Sequence, residues 1–100
     1  MTMHLALDQL MLRPDDVDRP FPHIGQLADA LRTDGCTTCL TVTTASAYAR
    51  AYPEHRPYLE RVGHPYVVLH GGRRLRAAHQ AGLDSLPVRV EDAVPRQRDR

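Results

Sequence analysis

The chain of 100 residues is long enough for one domain with a modest hydrophobic core and too short for two. Its formal net charge is only +1 at pH 7, so the domain lacks the basic excess expected of an autonomous DNA-binding protein. No apolar run approaches the roughly 20 residues that cross a bilayer, and residues 1–12 lack a secretory signal pattern. These features predict a cytoplasmic protein without a membrane partner.

The first half of the chain predicts an extended segment, a loop, a helix and a strand. Leucines between residues 5 and 12 mark the extended segment, and a loop rich in proline and aspartate follows over 13–22. Over about 23–34, apolar residues recur at i, i+3, i+4 and i+7, which is typical of an amphipathic helix that ends at Gly35. The β-branched residues over 38–43 predict the next strand.

Residues 45–62 have a helical composition that two prolines interrupt. Because a proline inside a helix costs about 3 kcal/mol, Pro53 and Pro57 predict two short helices rather than one. The tyrosines of this segment are interpreted as packing it onto the core, with a stacking surface for bases as the alternative. These tyrosines are Tyr48, Tyr52 and Tyr58.

The segment around Gly71 and Gly72 has the clearest chemical meaning. The apolar run 66–70 predicts a buried strand, and helical spacing over about 73–81 ends at Gly82. Glycines let backbone N–H groups approach an anion, a helix N-terminus favours negative charge, and arginine supplies forked donors suited to phosphate. The segment therefore predicts a phosphate-binding turn. Its arginines are Arg73, Arg74 and Arg76.

The alternative for these arginines is a solvated helix face. Three positive charges at the start of a helix oppose its dipole, which costs roughly a few tenths of a kcal/mol unless an anion is present. That cost favours the anion site. After this helix, residues 86–90 predict a final strand, and the chain is polar from Glu91 onward.

The turn also resembles a known protein family. Residues 71–78, Gly-Gly-Arg-Arg-Leu-Arg-Ala-Ala, followed by Ala-Gly-Leu at 81–83 and Pro-Val at 87–88, resemble the G-E-R-R-x-R-A-A…A-G-L…(I/V)-P-V box of the ParB N-terminal domain. That family belongs to the ParB/sulfiredoxin superfamily. Upstream, residues 35–42 resemble the family's G-(I/L)-(L/I)-Q-P-(I/L)-x-V strand entry, and Arg19 lies in the loop that carries an arginine in the family.

The resemblance implies an α+β fold with a small mixed sheet, packed helices and the phosphate turn at one edge. It implies a nucleotide ligand, CTP or a related nucleotide with Mg²⁺. The domain would cover 1–92 with an insert over 44–63, and 93–100 would be a flexible arginine-rich tail. The site residues that it implies are Gly71, Gly72, Arg73, Arg74 and Arg76 at the phosphates, Gly35, Thr37 and Thr38 near the base, and Arg19.

The resemblance further implies a role in bacterial chromosome or plasmid partition or in transcriptional regulation. DNA would be contacted through a neighbouring domain or partner, and the domain would form a homodimer. The family box has an acidic residue where this chain has Gly72. That difference favours nucleotide binding over hydrolysis.

Two other functions stay open at the level of sequence. The first is an enzyme of the same fold, a small-molecule kinase or a nuclease. It would use a magnesium site in the acidic loop. The plainer interpretation of these acidic residues is a solvated loop. The second is a non-catalytic module whose arginines meet an acidic protein or DNA phosphates. The acidic residues of the loop are Asp15, Asp16 and Asp18.

Cys36 and Cys39 form a C-x-x-C pair that precedes a predicted strand. A redox pair would want a helix N-terminus, and a zinc site would need two more ligands, for which His64 and His70 are candidates. Plain structural thiols are the favoured interpretation. Sulfiredoxins carry a cysteine within the box G-G-C-H-R, and the turn of this chain has none, which argues against sulfiredoxin chemistry.

Overall fold

The computed structural model describes residues 3–36, 38–92 and 94. Five strands and four α-helices lie within them, joined in part by short 3₁₀ turns. The strands are β1 (Met3–Ala6), β2 (Leu10–Leu12), β3 (Leu40–Thr44), β4 (Tyr66–His70) and β5 (Ser85–Val90). The helices are α1 (Ile24–Asp34), α2 (Ala45–Ala51), α3 (Arg56–Val62) and α4 (Gly72–Ala81). The predicted tail over 93–100 lies outside the described residues except for Val94.

The strands form one mixed sheet in the order β1-β5-β3-β4-β2. β3 pairs in parallel with β5, and β2 in parallel with β4, whereas β1/β5 and β3/β4 are antiparallel. The predicted α+β class with a mixed sheet is therefore confirmed. The turn after β4 follows an internal strand rather than an edge strand, because the three-residue β2 adds outside β4.

One face of the sheet is covered by α1 and α4. Ala28 and Leu31 from α1 and Leu75 and Ala78 from α4 are all buried in one hydrophobic cluster with this face. The sheet contributes its largest buried side chains to the same cluster: Leu10, Leu40, Val42, Leu86 and Val88. The predicted amphipathic helix before Gly35 and the predicted helix before Gly82 are therefore the two helices that close this core.

The segment 45–62 covers the opposite face. Pro53 begins a 3₁₀ turn that separates α2 from α3, and Pro57 lies in the first turn of α3, where a missing N–H costs no helical hydrogen bond. The prediction of two helices is confirmed. Neighbouring strand residues point to opposite faces, so Val68 joins the first cluster while Val67 packs in the second with Met11, Tyr48, Ala49, Leu59 and Leu69.

Side chains that follow α2 also protect the edge strand β2. The Tyr58 hydroxyl donates a hydrogen bond to the Leu12 carbonyl oxygen at 2.9 Å. Burial raises the pKa of Tyr58, and the positive charge of Arg61 only partly offsets this rise. His64 Nδ1 lies 2.9 Å from the Leu10 carbonyl oxygen, which can only accept, so Nδ1 carries the proton. Unpaired carbonyls on an edge strand invite pairing with another chain, and these contacts satisfy two of them.

None of the described helices has the length and apolar character needed to cross a membrane.

Tyr48 gives the second cluster a pH-dependent stability. It is 2% exposed, and its ring stacks on Tyr52 with the centroids 4.8 Å apart. Burial raises the pKa of Tyr48 to about 12, and the negative charge of Asp15 adds to the shift. The fold therefore favours the neutral phenol.

Because the folded pKa is raised, this stabilisation is complete below pH 10 and is lost as the pH rises through about 12. We expect the free energy of unfolding to fall by roughly 2–3 kcal/mol more across this window in the wild type than in Tyr48→Phe. Urea denaturation at a series of pH values measures the difference. Parallel pH profiles for the two proteins would contradict the assignment.

Candidate anion-binding site

Two glycines form the turn between β4 and α4, and Gly71 is needed there for steric reasons. Gly71 has φ +105°, a left-handed conformation that side chains rarely adopt, and a Cβ there would lie 2.8 Å from Leu40 Cγ. A Cβ at Gly72 would lie 2.9 Å from Leu12 Cδ2. Real Cβ atoms do not approach neighbours so closely. The backbone of the turn is therefore pressed against β3 on one side and β2 on the other.

The turn delivers the chain to an uncapped helix N-terminus. Gly71 is the N-cap of α4 and offers no side-chain acceptor, and the first turn of α4 contains no acidic residue. By contrast, the Thr44 side chain accepts a hydrogen bond from the Ala47 N–H at 3.1 Å at the start of α2. Among the described residues, no side chain is therefore seen to cap the first N–H groups of α4, which can donate to an anion.

The three arginines of the turn have different surroundings. Arg73 is exposed and Arg74 half-buried, and neither guanidinium forms a hydrogen bond or ion pair with the described part of the chain. Arg76 instead donates from Nη2 to the Val17 carbonyl oxygen at 3.3 Å and lies over the Phe21 ring, 5.2 Å from its centroid. Arg76 thus ties the loop over 13–21 to α4.

The loop places a buried carboxylate beside the turn. Asp16 is 6% exposed, and its Oδ2 would lie 3.8 Å from a Cβ on Gly72. Its carboxylate accepts hydrogen bonds from Arg13 Nε at 3.0 Å and from Arg19 Nη1 at 3.3 Å. Burial alone would lower the pKa of Arg13, but the hydrogen bond and the charge of Asp16 outweigh it and raise that pKa.

The other acidic residues of the loop, Asp15 and Asp18, are exposed. Within residues 3–36, 38–92 and 94, no three His, Cys, Asp or Glu side chains come together in a way that could hold a metal ion. The sequence alone did not identify Arg13 or Phe21 as residues that lie beside the anion-binding turn. The sequence pattern that could have identified Arg13 is the spacing of opposite charges: Arg13, Asp16 and Arg19 follow one another at intervals of three residues.

The residues predicted to lie near a base precede β3. Gly35 follows α1 with φ +74°, and Thr38 is exposed, whereas Thr37 lies outside the described residues. β3 is antiparallel to β4, and Thr41 pairs with His70. The start of β3 and the end of β4 therefore lie at the same end of the sheet, which brings the segment before Leu40 to the turn.

No disulfide bond joins the two cysteines of this segment. Cys36 is half-buried against the first cluster, and its thiol donates to the Thr38 carbonyl oxygen at 3.2 Å. Cys39 is exposed.

Solved structures with the same architecture come from two groups of proteins. The C-terminally truncated chromosome-partitioning protein ParB from Caulobacter crescentus, complexed with CTP-γ-S, matches with a TM-score of 0.67 and 23% identity over 94% of this chain and 46% of that one. Sulfiredoxin from Arabidopsis thaliana matches with a TM-score of 0.64 and 16% identity over 93% of this chain and 86% of its own. The chain has a ParB/sulfiredoxin-like fold.

The same Caulobacter ParB complexed to the centromeric parS site matches with a TM-score of 0.64 and 24% identity, over 90% of this chain and 40% of that one. In sequence, the chain is 36% identical over 90 residues to the "Probable plasmid-partitioning protein ParB" of Thermus thermophilus. The match covers 90% of this chain and 24% of that relative, so the chain spans about a quarter of its length. No protein-family model matches the chain.

Substitution of Gly71 tests the geometry of the turn. Gly71→Ala combines a strained positive φ with a clash against Leu40, and we expect it to lower the free energy of unfolding by about 2–3 kcal/mol. Gly25→Ala is the matched control, because Gly25 lies in α1 and the nearest atom to a Cβ there is Gln80 Nε2 at 3.8 Å. The control should be neutral or stabilising by roughly 0.5–1 kcal/mol. Urea denaturation compares the two, and equal effects would show that the turn tolerates a side chain.

Proposed function

We propose that this domain binds a nucleotide, CTP or a related one with Mg²⁺, and holds its phosphates at the turn formed by residues 71–76. The observation that carries the proposal is the pair of guanidinium groups of Arg73 and Arg74, which lack partners among the described residues at an uncapped helix N-terminus. These positive charges oppose the helix dipole unless an anion lies between them and the amides. A phosphate group removes that conflict.

The surroundings of the turn support a ligand larger than a single phosphate. The segment that contains Gly35 and Thr38 ends beside the turn, where the proposal puts the base, with Thr37 as a further contact. On the other side, Arg19 is 61% exposed and is held by Asp16 next to Gly72. Phosphates at the turn would therefore have donors from α4 and from the loop.

The similar proteins support a role in DNA partition for this chain. The relative from Thermus thermophilus is named as a partitioning protein, and the Caulobacter ParB structures hold CTP-γ-S and the parS site. Because the formal net charge is only +1, this domain would contact DNA through a neighbouring domain or partner. It would act as a homodimer in the cytoplasm. A role in transcriptional regulation and the division into a domain over 1–92, an insert over 44–63 and a tail over 93–100 also stay predictions.

We propose binding rather than hydrolysis as the activity of the turn. Gly72 contributes no carboxylate, and Asp16, the acidic group beside it, is already held by two arginines. A kinase or nuclease that relies on Asp16 has less support for the same reason.

Nucleotide binding is tested by denaturation of the domain with and without CTP, ATP, GTP and UTP in the presence of Mg²⁺. A ligand at 100 times its Kd stabilises the folded state by about 2.7 kcal/mol. We expect CTP to stabilise the wild type, and Arg73→Ala and Arg74→Ala each to weaken binding at least about tenfold, since a charged hydrogen bond is worth roughly 1.5–3 kcal/mol. Arg50→Ala, an exposed position on α2 across the sheet, should leave binding unchanged.

If no nucleotide at millimolar concentration stabilises the wild type, the proposal is wrong. Salt-sensitive binding of DNA or of an acidic protein that nucleotides do not displace would instead support an interaction module.

A further inference from the structure

The space where a side chain at position 72 would lie is bordered by Leu12 of β2 and by the loop over 13–21. A Cβ on Gly72 would meet Leu12 Cδ2 at 2.9 Å, Phe21 Cζ at 3.7 Å and Asp16 Oδ2 at 3.8 Å. A carboxylate is therefore present beside the turn, although the helix does not supply it. The loop that carries it is fixed to α4 by the contacts of Arg76 with Val17 and Phe21.

A carboxylate beside a phosphate site would repel the ligand if it were alone. Asp16 is not alone, because Arg13 and Arg19 each occupy one of its oxygens, Oδ2 and Oδ1 respectively. Two guanidinium groups and one carboxylate sum to a local charge of +1. The cluster formed by Arg13, Asp16 and Arg19 is therefore attractive to an anion as a whole.

The two arginines of this cluster differ in exposure. The Arg13 side chain is 27% exposed and that of Arg19 is 61% exposed, while the Asp16 side chain between them is only 8% exposed. Arg13 thus anchors the carboxylate inside the loop, and Arg19 presents donors to solvent while Asp16 holds one of its nitrogens. A guanidinium held at one nitrogen by a buried acceptor loses less freedom when its other nitrogens bind a ligand.

We propose that Asp16 is a positioning residue of the nucleotide site: it holds Arg19 beside the turn at Gly72, so that Arg19 adds to the phosphate contacts of Arg73 and Arg74. This inference rests on the proposed nucleotide binding and deepens it. The role of Asp16 is exerted through Arg19 and not through contact with the ligand. The loss of Asp16 must therefore matter only while Arg19 is present.

A double-mutant cycle between Asp16→Asn and Arg19→Gln tests this dependence, with the Kd for CTP measured by calorimetry and folding checked by urea denaturation. We expect Asp16→Asn to weaken CTP binding about five- to tenfold in the wild-type background and to have no further effect in Arg19→Gln. Asp18→Asn is the matched control, since Asp18 is an exposed acid of the same loop. It should not weaken binding.

Three outcomes overturn the positioning role. Tighter CTP binding by Asp16→Asn shows that the carboxylate only repels the ligand. Unchanged binding shows that it has no role. An equal loss of affinity in the wild type and in Arg19→Gln shows that it acts through the fold. Where Asp16→Asn does not fold, Asp16→Glu is used in the same cycle, and it should weaken binding in the wild type and not in Arg19→Gln. Absence of CTP binding by the wild type instead overturns the proposed function, and the positioning role with it.

Discussion

The close contact between Gly71 and Leu40 determines how the rest of this site is assembled. A Cβ at Gly71 would lie only 2.8 Å from Leu40 Cγ, so the strand β3 can approach the turn after β4 only where the turn has no side chain. The antiparallel pairing of β3 with β4 then brings the segment before Leu40 to the same end of the sheet. On the opposite side, the second glycine admits Leu12 and the acidic loop. Three separate parts of the chain thus meet at one helix N-terminus.

The electrostatics of the site follow from one buried carboxylate, Asp16, that pairs with two of the five arginines in the loop and the first turns of α4. Asp16 forms ion pairs with Arg13 and Arg19. Arg76 donates a hydrogen bond to the loop backbone and lies over an aromatic ring. Only Arg73 and Arg74 are left without partners among the described residues. Ion pairs therefore hold the loop together, Arg76 joins the loop to α4, and the remaining positive charge lies near the first amides of α4. The favoured ligand is an anion that both sets of donors reach.

Local patterns predicted the elements that depend on local physics. The apolar run 66–70 forms β4, the helix before Gly82 begins one residue earlier than predicted, and the two prolines divide the segment 45–62 as expected. The strand predicted over 38–43 begins two residues later, at Leu40. The sequence did not indicate that β2 pairs outside β4, because three residues are too few for periodicity. Nor did it reveal the contacts of Asp16 and Arg76, which depend on how the loop packs against α4.

The central claim is that nucleotide phosphates bind at the turn formed by Gly71 and Gly72. An amide ¹H–¹⁵N titration with CTP, with cytidine as the control ligand, tests it most directly. Binding at the turn predicts that CTP shifts the amide signals of Gly71, Gly72 and Arg73 most strongly, that it shifts Arg19 to a lesser extent, and that cytidine leaves the turn unchanged. Equal shifts with cytidine, or CTP-induced shifts confined to α2 and α3, would contradict the account.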